Sequence, residues 1–403
     1  MKIQIPRVLG PIAVWPMFLA GPLLAQSLKF EEHLISNDYT YGYAIAAADL
    51  DGDGDLDMSS SDCTTAGSRK HNDIYWFEND GNGTFQRHWI AKTDWNGRFE
   101  RHQLTDMNRD GRPDLVGIDN FFGDVFWIEN EGDPRKLESW KRHPISNSGL
   151  LGAYDLVAVD LDKDGHLDVA ASSWRLGNNF VWYRNPGSPG DEEWPSYVVD
   201  EGLDETRAIL AGDFNRDGHP DLLGTARVAG LVLWYENSGN PTAGPWKRHV
   251  IDSGGRPMHG SLADMDHDGD IDVLMTGGLG AGEHPSNHQV VWYENVGTPG
   301  RGDRWFKHII DEGFWEGFEA VPADLDRDGD LEVIATGFGD RGQIAWYEDF
   351  GDRWKKHALK EHWIKAVQVI TPDLNGDGWL DIAAVNERGR EFRWWKNLGG
   401  QTK

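Results

Sequence analysis

From residue 28 onward, apolar and polar positions follow one another in short runs that suit strands, and no run reaches the length of an ordinary helix. The most regular runs are aromatic: "YWFEN", "VFWIEN", "VWYRN", "LWYEN", "VWYEN", "AWYED" and "RWWKN". They are apolar on both sides, the pattern of a strand covered on both faces. Each enters a turn, as at Asn237-Ser-Gly or Asn397-Leu-Gly. A further strand then follows in "FQRHWI", "WKRHPI", "WPSYVV", "WKRHVI", "WFKHII" and "WKKHAL". Ahead of every aromatic run stands an acidic cluster, beginning at Asp49, Asp106, Asp160, Asp213, Asp264, Asp324 and Asp373, with starts 49 to 60 residues apart.

One unit is therefore repeated seven times, with about four short strands in each. Such a unit cannot bury an aromatic strand alone, so the units must pack on one another. Radial repetition of four-stranded sheets predicts an all-β fold, a seven-bladed β-propeller over residues 26–403. The seventh unit ends without its last strand, and the missing copy is "FEEHLI" from Phe30. The N-terminal strand is expected to complete the last blade and close the ring.

Composition sharpens this picture. Hydrophobic residues at 39%, with 20 tryptophans, exclude a disordered polymer. A formal charge of -28 argues against binding to nucleic acid or to an anionic membrane. Residues 1–25 carry Lys2 and Arg7, then an apolar stretch broken by Pro11, Pro16 and Pro22, then small residues to Ala25. That layout predicts a signal peptide and a secreted destination, whether extracellular, periplasmic or at the cell surface. Cys63 is the only cysteine, so no internal disulfide can staple the exported fold.

The acidic clusters offer another staple. They share the pattern D-x-[DN]-x-D-G-x-x-[DE], with oxygen ligands at alternating positions and glycine at the sixth for a sharp turn, which suits Ca²⁺. The ligand candidates are Asp49, Asp51, Asp53, Asp55 and Asp57 in the first loop, and Asp106, Asn108, Asp110 and Asp114 in the second. Asp160, Asp162, Asp164 and Asp168 follow in the third, and Asp213, Asn215, Asp217 and Asp221 in the fourth. The last three loops offer Asp264, Asp266, Asp268 and Asp272, then Asp324, Asp326, Asp328 and Glu332, then Asp373, Asn375, Asp377 and Asp381. Hard oxygen donors without His or Cys at these places favour calcium over zinc. An EF-hand would place a glutamate twelfth and flank the loop with helices, whereas here the acid is ninth and strand-like residues follow. Up to one structural calcium per blade is expected, held less tightly where Asn108, Asn215 or Asn375 removes a charge.

With these loops and "WYEN" strands, the chain resembles bacterial FG-GAP-like or VCBS-type repeats, akin to the calcium-bearing propeller of integrin α chains. The resemblance runs from about Phe30 to Gly399, although the Phe-Gly and Gly-Ala-Pro elements that name the family are mostly missing. It implies extracellular adhesion, glycan or protein binding, and in some members a scaffold for polysaccharide lyases.

Comparing the units with one another separates scaffold from site. His33, His88, His143, His249, His308 and His357 occupy one equivalent place, with Tyr197 in the third unit, so they are expected to be structural. The strand leading into each loop is small and apolar near the loop but polar and unit-specific upstream. In a propeller that strand borders the central channel, and its start faces the mouth opposite the acidic loops. The ligand-binding candidates are accordingly Tyr43, Glu100, Arg101, Tyr154, Asp155, Arg207, His259, Glu319 and Lys365, joined by Trp174 from the loop "SWRLGNN". Longer loops beginning at Ser61 and Gly277 should ring the same face. The tripeptide at 301–303, Arg-Gly-Asp, is too short to carry an adhesion role.

Two functions compete. One is a monomeric secreted module that binds an extracellular glycan or protein through the channel mouth. The other is a polysaccharide lyase acting on uronate-containing chains, with His259 or Tyr154 as base and Arg101 and Arg207 neutralising the carboxylate.

Overall fold

The computed structural model describes residues 28–63, 72–93, 97–188, 190–284, 287–297, 300–351 and 353–399. The expected signal peptide lies outside these residues, as does most of the loop after Ser61. Seven antiparallel four-stranded sheets form the blades of an all-β propeller. Blade 1 comprises Gly42–Ala48, Asp57–Cys63, Asn72–Asn79 and Phe85–Ala91, from the axis outward. The same order recurs in blades 2 to 6, over residues 99–146, 153–201, 206–253, 257–312 and 317–360. Blade 7 joins the two ends of the chain: Ala366–Ile370, Ile382–Asn386 and Phe392–Asn397 are completed by Phe30–Ser36, with Phe30 opposite Asn397. No helix among the described residues is long and apolar enough to cross a membrane.

The core lies between blades, as the two-sided aromatic strands require. Phe180 and Trp182 of blade 3, for example, pack with Leu222, Leu233 and Tyr235 of blade 4. Each aromatic-strand tryptophan is also covered from the outer strand. His33, His88, His143, His249, His308 and His357 stack on Trp394, Trp76, Trp127, Trp234, Trp292 and Trp346, with centroids 3.9 to 4.7 Å apart. Tyr197 stacks on Trp182 in the same way. In five blades the histidine Nε2 also pairs with the glutamate that follows the aromatic pair: Glu78, Glu129, Glu236, Glu294 and Glu348. In blade 3 that glutamate is Arg184, and the histidine becomes Tyr197 along with it.

Both edges of each blade need protection. The outer strands alternate exposed and half-buried positions, carry Lys and Arg, and share a register shift against the aromatic strand in all seven blades. At the inner edge, free amides facing the channel are met by side chains of the preceding blade. Asp155 accepts from Ile209 N, Glu319 from Val369 N, Gln368 from Ile45 N and Gln103 from Ala158 N, at 2.9 to 3.3 Å. Blades are further tied by the asparagine that ends the aromatic strand. Asn79, Asn130, Asn237, Asn295 and Asn397 each donate Nδ2 to a carbonyl of the preceding blade's acidic loop, at Leu374, Leu50, Leu161, Phe214 and Leu325. In blade 6 the position is Asp349, which has no donor to offer.

Asn237→Ala removes one such buried tie and strands the Leu161 carbonyl. A loss of about 1–3 kcal/mol in unfolding free energy is expected, read from urea denaturation. An unchanged midpoint would show that blades are held by apolar packing alone.

Candidate functional site

The acidic loops sit between the first and second strands of their blades and share one geometry. The fourth residue, from Gly52 to Gly376, has φ between 58° and 79°, and the sixth, a glycine in every loop, has φ between 84° and 100°. These two left-handed residues fold the loop back on itself, and the second tolerates a side chain poorly. The fifth residue then accepts the amide of the seventh in every blade, as Asp164 does from His166 N at 2.9 Å.

The ninth acid has a second task. Its two oxygens accept the amide of the loop's second residue and the amide that ends the aromatic strand: Leu50 and Asn79 for Asp57, Met107 and Asn130 for Asp114. Asp168, Asp221, Asp272 and Asp381 repeat this clamp. Burial pushes the carboxyls of Asp57, Asp114, Asp168, Asp221 and Asp272 up to about 7, against the pull of these amides. Glu332 reaches about 8 and Asp381 about 6 for the same reason.

In four loops, three carboxylates bring oxygens within 4.8 Å of one another: Asp49, Asp51 and Asp53; Asp160, Asp162 and Asp168; Asp264, Asp266 and Asp272; Asp324, Asp326 and Glu332. The loops with asparagine at the third place form no such trio among the described residues. Asn108 and Asn215 instead donate to Asp110 and Asp217. Asp160, Asp264, Asp324 and Asp373 each keep Oδ1 buried without a hydrogen-bond partner. A hard dication would satisfy these orphaned oxygens, so the residues present fit calcium.

The channel candidates occupy the opposite end of the innermost strands, where they meet across the axis. Tyr154 OH lies 2.7 Å from Tyr43 OH and 3.2 Å from His259 Nε2, while His259 Nδ1 lies 3.4 Å from Asp155 Oδ2. Arg101 of blade 2 donates Nη1 to Glu319 of blade 6 at 3.1 Å. Glu100 is paired with Arg98 at 2.7 Å. Arg207 lies over the rings of Tyr154 and Trp174, at 4.4 and 4.0 Å. Lys365 stands at the margin, 3.8 Å over Phe338, which stacks on Phe318 beside Arg101.

This network is buried. His259 is 2% exposed and Tyr154 1%. Burial holds His259 down at about 4, helped by nearby Arg101. Burial also raises the Tyr154 phenol and lifts Glu100 to about 7. The Arg101 and Arg207 guanidiniums stay charged because neighbouring acids and tyrosines outweigh their desolvation. Several polar atoms lack partners, among them Arg101 Nε and Nη2 and Arg207 Nε. The polar residues thus fill the upper channel, and the concave opening is at the loop end. There a cavity of about 590 Å³ is lined by Ile45, Ala47, Leu104, Ala158, Ile370 and neighbouring polar groups.

The family model for the FG-GAP-like repeat matches residues 106–171, 160–224 and 213–275, three consecutive repeats. Over these residues the chain carries FG-GAP-like repeats. Its seven blades supply the general surface of a binding or scaffold module. Among solved structures, it is similar to a chain in the crystal structure of BBS1N in complex with ARL6DN, soaked with mercury. The TM-score is 0.55 at 9% identity, over 93% of this chain and 99% of that one. That likeness concerns the fold. No curated protein matches the sequence significantly.

Other polar residues of this FG-GAP-like propeller were not singled out by comparing repeats. Arg175 and Arg227 flank the mouth on loops between second and third strands, and His102 is buried with Nε2 2.7 Å from Ser59 Oγ. Arg175 adjoins Trp174 within "SWRLGNN", so the loop pointed towards it. For His102 the repeat pattern carried no signal, because its equivalents are Ile45 and Leu156.

Burial, with Arg101 nearby, depresses His102 to about 3 from an ordinary 6.5. The unfolded chain therefore takes up a proton there below about pH 6.5 that the folded chain refuses, and wild-type stability is lost as pH falls through that window. His102→Gln lacks this linkage, so its deficit against wild type should shrink between pH 7.5 and pH 5 in urea denaturation. A constant deficit would mean that folded and unfolded chains bind the His102 proton equally, with no depression by burial.

Proposed function

We propose that this FG-GAP-like propeller is an exported, calcium-stabilised module that binds an extracellular glycan or protein around the channel mouth. Binding is favoured over chemistry by one observation: His259 and Tyr154, the candidate bases, are buried and bonded to each other, so a sugar proton has no path to them. Arg101, the candidate neutraliser, is likewise engaged by Glu319. The residues that remain open to a partner lie at the rim, where Trp174 and Lys365 are half-buried. Export is supported by the signal-like residues 1–25, and calcium by the orphaned aspartate oxygens in the loops.

A lyase is the second reading, favoured by the chain Asp155–His259–Tyr154 with Arg207 over the phenol ring. In that reading Asp155 orients the imidazole and His259 or Tyr154 removes the proton beside a uronate carboxyl. It requires the axial network to open towards substrate. Incubation with acidic polysaccharides separates the readings, since elimination leaves an unsaturated, ultraviolet-absorbing product. Product formed by the wild type and abolished in His259→Ala would establish the lyase and displace the binding reading.

For the metal, EDTA should lower the melting temperature by at least about 5 °C, with recovery on adding Ca²⁺. The calcium-dependent rise should be larger at pH 8 than at pH 5, because ninth-position acids raised to about 7 must lose their protons to ligate. Equal shifts at both pH values would place the ion away from those carboxylates.

A further inference from the structure

Three arginines converge on one carboxylate beside the mouth, off the propeller axis, and a fourth, Arg256, lies next to one of them. Glu205, in the connection into blade 4, has Arg207 Nη2 at 3.1 Å and Arg175 Nε at 3.9 Å, and it is bound by Arg227 through both Nε and Nη2. Arg227 also donates Nη1 to the Leu279 carbonyl. Arg256 approaches from blade 5: its Nη1 and that of Arg227 both flank Gly280. Among the described residues, Glu205 is the only carboxylate within ion-pair reach of any of the four. The cluster therefore carries a local excess of about three positive charges, on a chain whose formal charge is -28.

The repeat's own turn presents Glu205 to these arginines. Glu205 has φ 57°, a left-handed conformation that Gly152, Glu316 and Lys365 share at the equivalent place, eight residues before the loop's first aspartate, so the turn belongs to the repeat and the side chain it presents is particular to this blade. Glu205 N donates to Asn178 Oδ1, and Glu205 O accepts from Arg227 N, a backbone bond that recurs at this place in every blade. Arg207, 5% exposed, has a buried Nε with no partner. The Trp174 ring has Arg207 at 4.0 Å and Arg175 at 3.9 Å from its centroid, and the Arg175 side chain is 66% exposed. The exposed Arg175 side chain is free to move, and the indole beneath it adjoins the partnerless Nε of Arg207.

We propose that Arg175, Arg207, Arg227 and Arg256, with Trp174, form a subsite for an acidic sugar residue, its carboxylate or sulfate among the guanidiniums and its ring against the indole. The proposal rests on the glycan-binding reading above and deepens it by naming the ligand class. Planar guanidinium forks suit a carboxylate or sulfate. A continuous polyanion such as nucleic acid would meet the net negative charge of the protein on every side, whereas one acidic sugar among neutral neighbours would not. Glu205 orients the arginines while leaving most of their charge free.

The test is calorimetric titration of the full calcium-loaded chain with uronate-containing and sulfated oligosaccharides, their methyl-esterified or desulfated counterparts, and tetraglutamate. At least one acidic oligosaccharide should bind, with affinity falling about tenfold or more when its charge is removed. Arg175→Ala and Arg256→Ala should each weaken that binding several-fold with melting temperature unchanged, and salt should weaken it further. Uronate and sulfate ligands are told apart by which loses affinity on esterification or desulfation. Binding that survives loss of the ligand's charge, or is unaffected in both variants, overturns the subsite and leaves the module reading intact. Tetraglutamate binding as tightly as the sugar replaces the sugar with an acidic peptide and overturns the proposal. If neither oligosaccharides nor peptide bind, the glycan reading fails with it.

Discussion

The carboxylate that ends each acidic loop is the interaction on which the ring depends. It joins the loop's start to the end of the aromatic strand, and so fixes three strands of one blade around a single buried group. The asparagine at that strand's end then reaches the carbonyl of the preceding blade's loop, so the clamp within a blade becomes a tie between blades. Loop, strand and neighbour are held by adjoining hydrogen bonds. Burial raises the pKa of these acids, which means the ionised form is costly without a counter-charge. A dication beside them would remove that cost, and metal occupancy would then be linked to the stability of the whole ring.

Much of this was legible in the chain, because a ring of similar units writes its scaffold several times over. The histidines of the outer strands show how far such comparison reaches. Their equivalence marked them as structural, and the structure adds that each ring lies on a tryptophan. It also places Tyr197 on Trp182. Where Arg184 replaces the glutamate the tyrosine keeps the stacking without needing that partner, whereas blade 7, with Lys396 at the same place, keeps the histidine His33 on Trp394.

The channel was less legible. Tyr43, Tyr154, Asp155 and His259 were identifiable as unit-specific polar residues, but the pairing of Arg101 with Glu319 joins blades 2 and 6 across the axis. No periodicity within a repeat encodes which side chains meet over that distance. Nor does it encode which end of the channel stays open, since that depends on whether polar groups satisfy one another or face water. Arg227 was hidden for a related reason: it lies on a connecting loop, and its importance arises from Glu205 and Arg207, which another part of the chain supplies.

The shared seventh blade has a mechanical consequence. Lys29 and Leu398 are hydrogen-bonded at 2.8 Å, and the strands beyond them run antiparallel. Tension applied between these two points loads the strand pair from its open end, so its bonds break one after another, as in a zipper, instead of sharing the force as in shear. Closing the latch over an unfolded segment of more than 360 residues would cost about 5 kcal/mol in entropy, a cost that six folded blades remove by holding its ends together. Pulled at its ends, the propeller therefore yields first at its clasp while the other six blades still lean on one another.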